Sequence, residues 1–236
     1  MDKLGLVLNR SRLPQPIAEY LAKQEPSKKW QLSSFARETI VNTLLEDQFH
    51  TCMYCESRLT KDNLHIEHII ERHDDANSTY AFNNMGLSCM GGISKVISDE
   101  TMLENLVRVP NIHCGHYKTL NFHKNTEINY DLLIDPFHES MYEYFDFEDA
   151  TLFPVKGLSD IMRARAAYTI ERLNLNSSKL IYARRLHIDA FRKKLSSYKS
   201  MSAARKYASS ILNLQNGKKI PFYSLIERHS NFFKNN

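Results

Sequence analysis

The sequence predicts an α+β protein that is predominantly helical: a compact module rich in cysteine and histidine, embedded between N- and C-terminal helices. Three observations carry this. All four cysteines, Cys52, Cys55, Cys89 and Cys114, fall in a 63-residue window of a 236-residue chain, and six of the ten histidines lie between positions 50 and 116. On both sides of that window apolar residues recur at helical spacing. Inside it, HIEHIIERHD at 65–74 sets three isoleucines among ionisable side chains, which suggests a short strand whose polar groups need partners or a task.

Taken in order, the first ten residues look irregular or extended, and Pro14, Pro16 and Pro26 punctuate a short helical piece around Ile17 to Ala22. A longer helix follows in SSFARETIVNTLLEDQF, where Phe35, Ile40, Val41, Leu44 and Leu45 recur at helical spacing behind serines suited to an N-cap. The cysteine window comes next, then an acidic, aromatic stretch, IDPFHESMYEYFDFED. Ile181, Ile188, Phe191, Leu195 and Tyr198 then mark one face of a C-terminal helix, a stripe best read as core packing. Three segments result: a helical 1–47, a module at 48–125, and a helical 126–236.

Composition is that of an ordinary globular chain, 42% hydrophobic and 25% charged. No apolar run approaches the roughly 18 residues that span a bilayer, and the opening MDKLGLVLNR lacks the apolar core of an export signal, so a cytoplasmic location is expected. The net charge is only +4, but it is unevenly distributed. Ser159 to Lys219 holds 14 Lys or Arg against 3 Asp or Glu, whereas Glu127 to Asp149 holds 8 acids and no Lys or Arg. The basic segment is either a solvated helical surface or a face for phosphate or a partner.

CMYC at 52–55 has the two-residue spacing that brings two thiolates of one tight turn onto a single Zn²⁺. No βαβ pattern surrounds it, which argues against a redox pair, and Cys89 in LSCMGG and Cys114 in HCGH supply two further thiolates beside glycines. A closed four-cysteine structural zinc is the preferred reading; His113 or His116 replacing one cysteine is the alternative.

Glu67-His68 within HIEH, then YAFNNMGLSC with Asn83 and Asn84, then CGHYK with His116 and Lys118, interleave with those cysteines. This constellation resembles the HNH endonucleases, the ββα-metal nucleases in which two strands and a helix grip one catalytic divalent ion. The resemblance implies phosphodiester hydrolysis. His68 would be the general base, suited by its ordinary pKa. Asn84 would orient the imidazole of His68 by a hydrogen bond. Glu67 and His116 would hold Mg²⁺ or Mn²⁺, with Mn²⁺ tolerating nitrogen better, and His68, Asn84 and His116 would form the catalytic set. Lys118 and Arg72 are candidates for phosphate contact. His65 ranks below Glu67 as a ligand, and His73 reads as a loop residue. Regular alternation would put His65 and Glu67 on one face of the strand and His68 on the other, so a bend, a bulge or a metal at the strand edge is expected.

Commoner zinc-bearing HNH modules close with a second C-x-x-C. Here ISKVISDETMLENLVRVPNI separates Cys89 from Cys114, so either His113 or His116 could be the third HNH position. This split arrangement, with LIDPF at 133–137 and TIERLNLN followed by ARR at 169–185, is similar to the PtuB-like nucleases of Septu and retron anti-phage systems. That resemblance implies a DNA-cleaving effector acting with a PtuA-like ATPase and, in retrons, with a reverse transcriptase and its DNA product. Two alternatives stand beside it: the same chemistry on RNA, such as a tRNA, and a non-catalytic zinc module that binds nucleic acid or a partner.

Overall fold

The computed structural model describes residues 6–26, 30–92, 111–119, 127–137 and 143–235. Most of the inserted ISKVISDETMLENLVRVPNI segment lies outside the described residues. Two N-terminal helices, α1 (Gln15–Ala22) and α2 (Ser34–Asp47), precede the antiparallel pair β1 (Leu64–His68) and β2 (Met85–Cys89). A one-turn helix α3 (Gly115–Lys118) follows, then a hairpin of β3 (Phe145–Glu148) and β4 (Thr151–Pro154). Four helices complete the chain: α4 (Asp160–Arg172), α5 (Ser178–Ser196), α6 (Met201–Ser210) and α7 (Tyr223–Asn235). The architecture is α+β and mostly helical, as the sequence predicts.

Serine starts the helices. Ser33, Ser159, Ser177 and Ser200 each accept a backbone N–H from the first turn of α2, α4, α5 and α6, each cap stabilising its helix by about 1 kcal/mol. On α2 the buried face is Ala36, Ile40, Leu44 and Leu45, while Phe35, expected on that face, is 67% exposed. Its position at the first turn points it away from the stripe that the following residues build. On α5, Ile188, Phe191 and Leu195 are buried as expected, whereas Tyr198 lies beyond the helix end.

The hairpin of β3 and β4 goes beyond the sequence expectation, which gives 134–149 as an acidic, aromatic stretch. Its strands alternate, FDFE against TLFP, and Asp149 turns between them with φ 52°.

One core runs through all three segments. Ile17 and Leu44, then Cys52 and Leu87, then Leu133, Ala166, Leu175 and Leu225 belong to a single buried cluster. Full burial of each Leu or Ile contributes about 1.5–3 kcal/mol. A second, smaller cluster joins Leu6 to Phe191, Ala208 and Ile226 on α5, α6 and α7. The end of α2 is tied into the module by Gln48, whose amide donates to Thr51 O and Leu87 O at 2.9 Å and accepts from Leu87 N at 2.7 Å.

Candidate metal centre and catalytic site

The four cysteines meet although 62 positions separate the first from the last. Their sulfurs all lie within 4.8 Å of one another and all four are buried. Cys52 Sγ is 3.9 Å from Cys114 Sγ, and Cys55 Sγ is 3.8 Å from Cys89 Sγ. A tetrahedron of Zn–S bonds of about 2.3 Å has edges of roughly 3.8 Å, so the donor set fits zinc. The tight turn Cys52–Cys55 hangs from β2 through Met53 N to Leu87 O at 3.1 Å, and Cys89 N donates to Cys52 Sγ at 3.4 Å. Cys114 adopts φ 60° and ψ −143°, a backbone region that side chains rarely occupy; its N–H is held by Leu173 O at 2.8 Å. His113 packs against the same cluster, with Nδ1 3.2 Å from Cys114 Sγ and 3.8 Å from Cys89 Sγ.

Arg184 of α5 sits behind these thiolates, 2% exposed, donating to Leu175 O and Ala150 O. Burial pushes its pKa down, and the charges of Cys55, Cys114 and Glu56 push it back. Four thiolates around one divalent ion leave net negative charge, which this guanidinium offsets.

Glu67 and His68 stand at the C-terminal end of β1. The ladder with β2 runs without interruption, Glu67 opposite Gly86 and His68 opposite Met85, so of the expected bend, bulge or metal at the strand edge the bulge is absent. Their side chains go to opposite faces. On one face His65 Nε2 donates to Glu67 Oε2 at 3.0 Å, and the His65 ring lies 4.3 Å from that of His116, centroid to centroid. His116 Nε2 and His65 Nδ1 are buried without a hydrogen-bond partner among the described residues. Burial, with the charge of His65, lowers the His116 pKa to about 4. His113 and His116 are thus separated: one lies on the cysteines, the other beside Glu67.

On the other face His68 Nε2 reaches Thr79 O at 2.9 Å, and its ring meets Trp30 edge-on at 4.6 Å. A carbonyl only accepts, so Nε2 carries the proton and Nδ1 keeps the lone pair. Burial lowers the His68 pKa, the Thr79 carbonyl opposes that, and the charge of Arg72 lowers it further, which favours a neutral ring. Arg72 therefore lies within electrostatic reach of the candidate base.

Two expectations change. Asn84 is buried, but its side chain bonds Ile70 and Ser78 rather than the imidazole of His68. Its Oδ1 accepts from Ile70 N at 2.8 Å, and its Nδ2 donates to Ile70 O at 3.0 Å and Ser78 O at 3.2 Å. It clamps the loop that carries Thr79, and so acts on His68 at one remove. Lys118 is not a phosphate contact. Its ammonium is 0% exposed and lies among four oxygens: Glu67 Oε1 at 2.6 Å, Glu71 Oε1 at 2.8 Å, His68 O at 2.5 Å and Ile69 O at 3.1 Å. No surface ligand can reach a side chain so enclosed. Although burial alone would raise it, the Glu67 carboxyl is held down to about 2 by Lys118 and His65.

The structure adds residues that sequence reasoning did not single out. Thr79 works through its backbone oxygen, which leaves no signal in residue type. Tyr130 accepts from Glu71 N at 2.9 Å and donates to Asp74 Oδ2 at 2.5 Å, pinning the far side of the loop after β1. Arg10 donates to Met85 O at 2.7 Å and lies over the Phe137 ring, buttressing the turn into β2.

No curated protein matches this chain. No helix among the described residues is long and apolar enough to cross a membrane. Residues 52–90, from the first cysteine of the knuckle to the end of β2, match the family model described as HNH endonuclease, which supports a nuclease of the HNH family acting on nucleic acid.

Proposed function

We propose that the protein is a metal-dependent HNH endonuclease that hydrolyses phosphodiester bonds of DNA. The observation that carries this reading is the pairing of Thr79 O with His68 Nε2, which leaves Nδ1 as a fixed, neutral base inside the matched segment. In this role His68 Nδ1 takes the proton of the attacking water, Thr79 holds the ring, and Asn84 holds the loop that holds Thr79. Glu67 and His116 would hold the catalytic ion, with His65 as the adjacent imidazole; one carboxylate beside imidazoles suits Mn²⁺ better than Mg²⁺. When bound, that ion supplies positive charge against the charge that develops on the phosphate. Arg72, whose charge reaches His68, would support the same charge. The four cysteines hold structural zinc, whose closed shell leaves no position for substrate.

The similarity to PtuB-like nucleases extends the proposal to a cytoplasmic anti-phage effector of the Septu or retron kind. It would act with a PtuA-like ATPase and, in a retron, with a reverse transcriptase and its DNA product. The test is cleavage of DNA and of RNA by the purified protein with Mg²⁺ or Mn²⁺, alone and with such an ATPase, beside His68→Ala. Cleavage of DNA by the wild type and its loss in the variant is the result expected. Equal cleavage by the variant overturns the base assignment, and cleavage of RNA alone moves the substrate to RNA.

A further inference from the structure

A cleft of about 880 Å³ opens between the stretch that leads into β1 and the turn between α6 and α7. His50, Arg58 and Lys61 line one wall, and Tyr207, Lys218 and Lys219 line the other. Among the described residues no aspartate or glutamate lines it, in a chain with 27 acids to 31 Lys and Arg. Lining polar groups such as Thr60, Gln215 and Asn216 are donors of the kind that accompany lysine and arginine on phosphate oxygens.

The walls are tied to each other. Arg58 donates to Phe49 O and His50 O on its own side and to Lys219 O across the cleft, and Lys219 N donates to Phe49 O at 3.3 Å. Lys219 Nζ is anchored on Leu212 O at 2.8 Å, over the Tyr223 ring. Both walls turn through left-handed backbone, Phe49 and His50 at φ 50° and 58°, Asn216 and Gly217 at φ 52° and 74°. Asn-Gly favours such a turn, whereas Phe49 and His50 hold it where the surroundings impose it. Lys61 and Lys218 stand exposed at the rim. Burial lowers the His50 pKa, Lys218 and Arg58 lower it further, and Glu46 opposes them.

We infer that this cleft binds backbone phosphates of the nucleic-acid strand at a distance from the reacting bond. The inference rests on the nuclease reading for the identity of the strand. Seven residues run from Lys61 to His68, so the backbones of the two sites stand at most roughly 25 Å apart, about seven base-pair rises of B-DNA. Arg58 and Lys219 shape the walls, and Lys61 and Lys218 supply the charge at the rim.

The test is binding of a labelled DNA duplex and a labelled RNA hairpin by anisotropy across a salt series, without added Mg²⁺ or Mn²⁺. Wild type is compared with Lys61→Gln/Lys218→Gln and with Lys23→Gln/Lys156→Gln, which loses the same charge elsewhere; zinc content and thermal melting confirm that each folds. The cleft pair is expected to weaken binding roughly tenfold and to reduce the salt slope by about 2, the control pair far less. Equal changes in the two pairs overturn the proposal, as does a wild type that binds neither probe. It falls too if inorganic pyrophosphate binds the cleft while strand affinity ignores the double variant. A protein that binds through the cleft without cleaving keeps this proposal and sinks the nuclease reading; one that cleaves with unchanged binding in the cleft pair does the reverse.

Discussion

The Lys118 ammonium is 2.6 Å from a Glu67 carboxylate oxygen, and neither side chain is open to solvent. Glu71 lies 2.8 Å from the same nitrogen, so one cation serves two carboxylates. Removing it would leave two like charges together in a dry site. Lys118→Met is expected to destabilise the protein by about 3–5 kcal/mol, read as a drop in the urea midpoint at neutral pH. A neutral result would show that the pair is open to water after all.

Acid should weaken the fold in two stages. The His116 imidazole titrates at about 4 in the folded chain against 6.5 when unperturbed, and the Glu67 carboxyl at about 2 against 4.5. In both cases the unfolded chain takes up its proton first as pH falls. Stability is therefore complete above about pH 6.5, declines towards 4 through His116, and declines again from 4.5 towards 2 through Glu67. Urea midpoints measured against pH, with zinc as the one divalent ion present, should lose the upper stage in His116→Gln. Persistence of that stage in the variant would assign it elsewhere.

Asn83 and Asn84 are neighbours with opposite fates. Asn84 is buried with its amide spent on Ile70 and Ser78, whereas Asn83 is exposed. Asn84→Ala should cost about 2–3 kcal/mol by stranding buried backbone groups, while Asn83→Ala should stay within about 0.5 kcal/mol. Denaturant titration of the two variants separates them. Equal losses would mean that the loop after β1 is held some other way.

Zinc should hold more than its own knuckle. Cys114 N is bonded to Leu173 O, and Arg184 of α5 lies behind the sulfurs. Chelation, or Cys114→Ser, is therefore expected to lower helix content measured by circular dichroism across the C-terminal helices, not only near the metal, because structural zinc contributes binding free energy to folding. Intact helices in the zinc-free protein would contradict this coupling.

Gly115 leaves room for the Glu67 carboxylate: a Cβ there would fall 2.2 Å from Oε2. Gly115→Ala should displace that carboxylate and weaken Mn²⁺ binding by roughly tenfold or more, with zinc content retained. Calorimetric titration with Mn²⁺ reads the change, and an unaltered affinity would remove Glu67 from the ligand set.

How much of this was legible in the sequence depends on whether side chain or backbone does the work. The cysteines were legible because sulfur spacing reports metal geometry directly, and α2 and α5 because buried stripes repeat with the helix. His68 and Glu67 stand out in the sequence as an adjacent pair that regular alternation sends to opposite faces, but only the register shows that no bulge interrupts them. Lys118 was misread because a lysine in a one-turn helix looks solvated until Glu67 and Glu71 arrive from distant sequence. Asn84 is expected to bond the His68 imidazole and instead bonds Ile70 and Ser78, mostly through backbone groups that leave no signal in residue type. The β3–β4 hairpin had a signal in FDFE and TLFP, overshadowed by the acidic charge of the segment.

Gly91 accepts from His113 N at 3.1 Å, and a side chain at Gly91 would collide with the His113 carbonyl, so the chain leaves Cys89 and returns to Cys114 through one narrow gate. Whatever sequence departs through that gate must come back to the same place. The knuckle is thus a clasp that fixes where the chain leaves Cys89 and where it rejoins at Cys114.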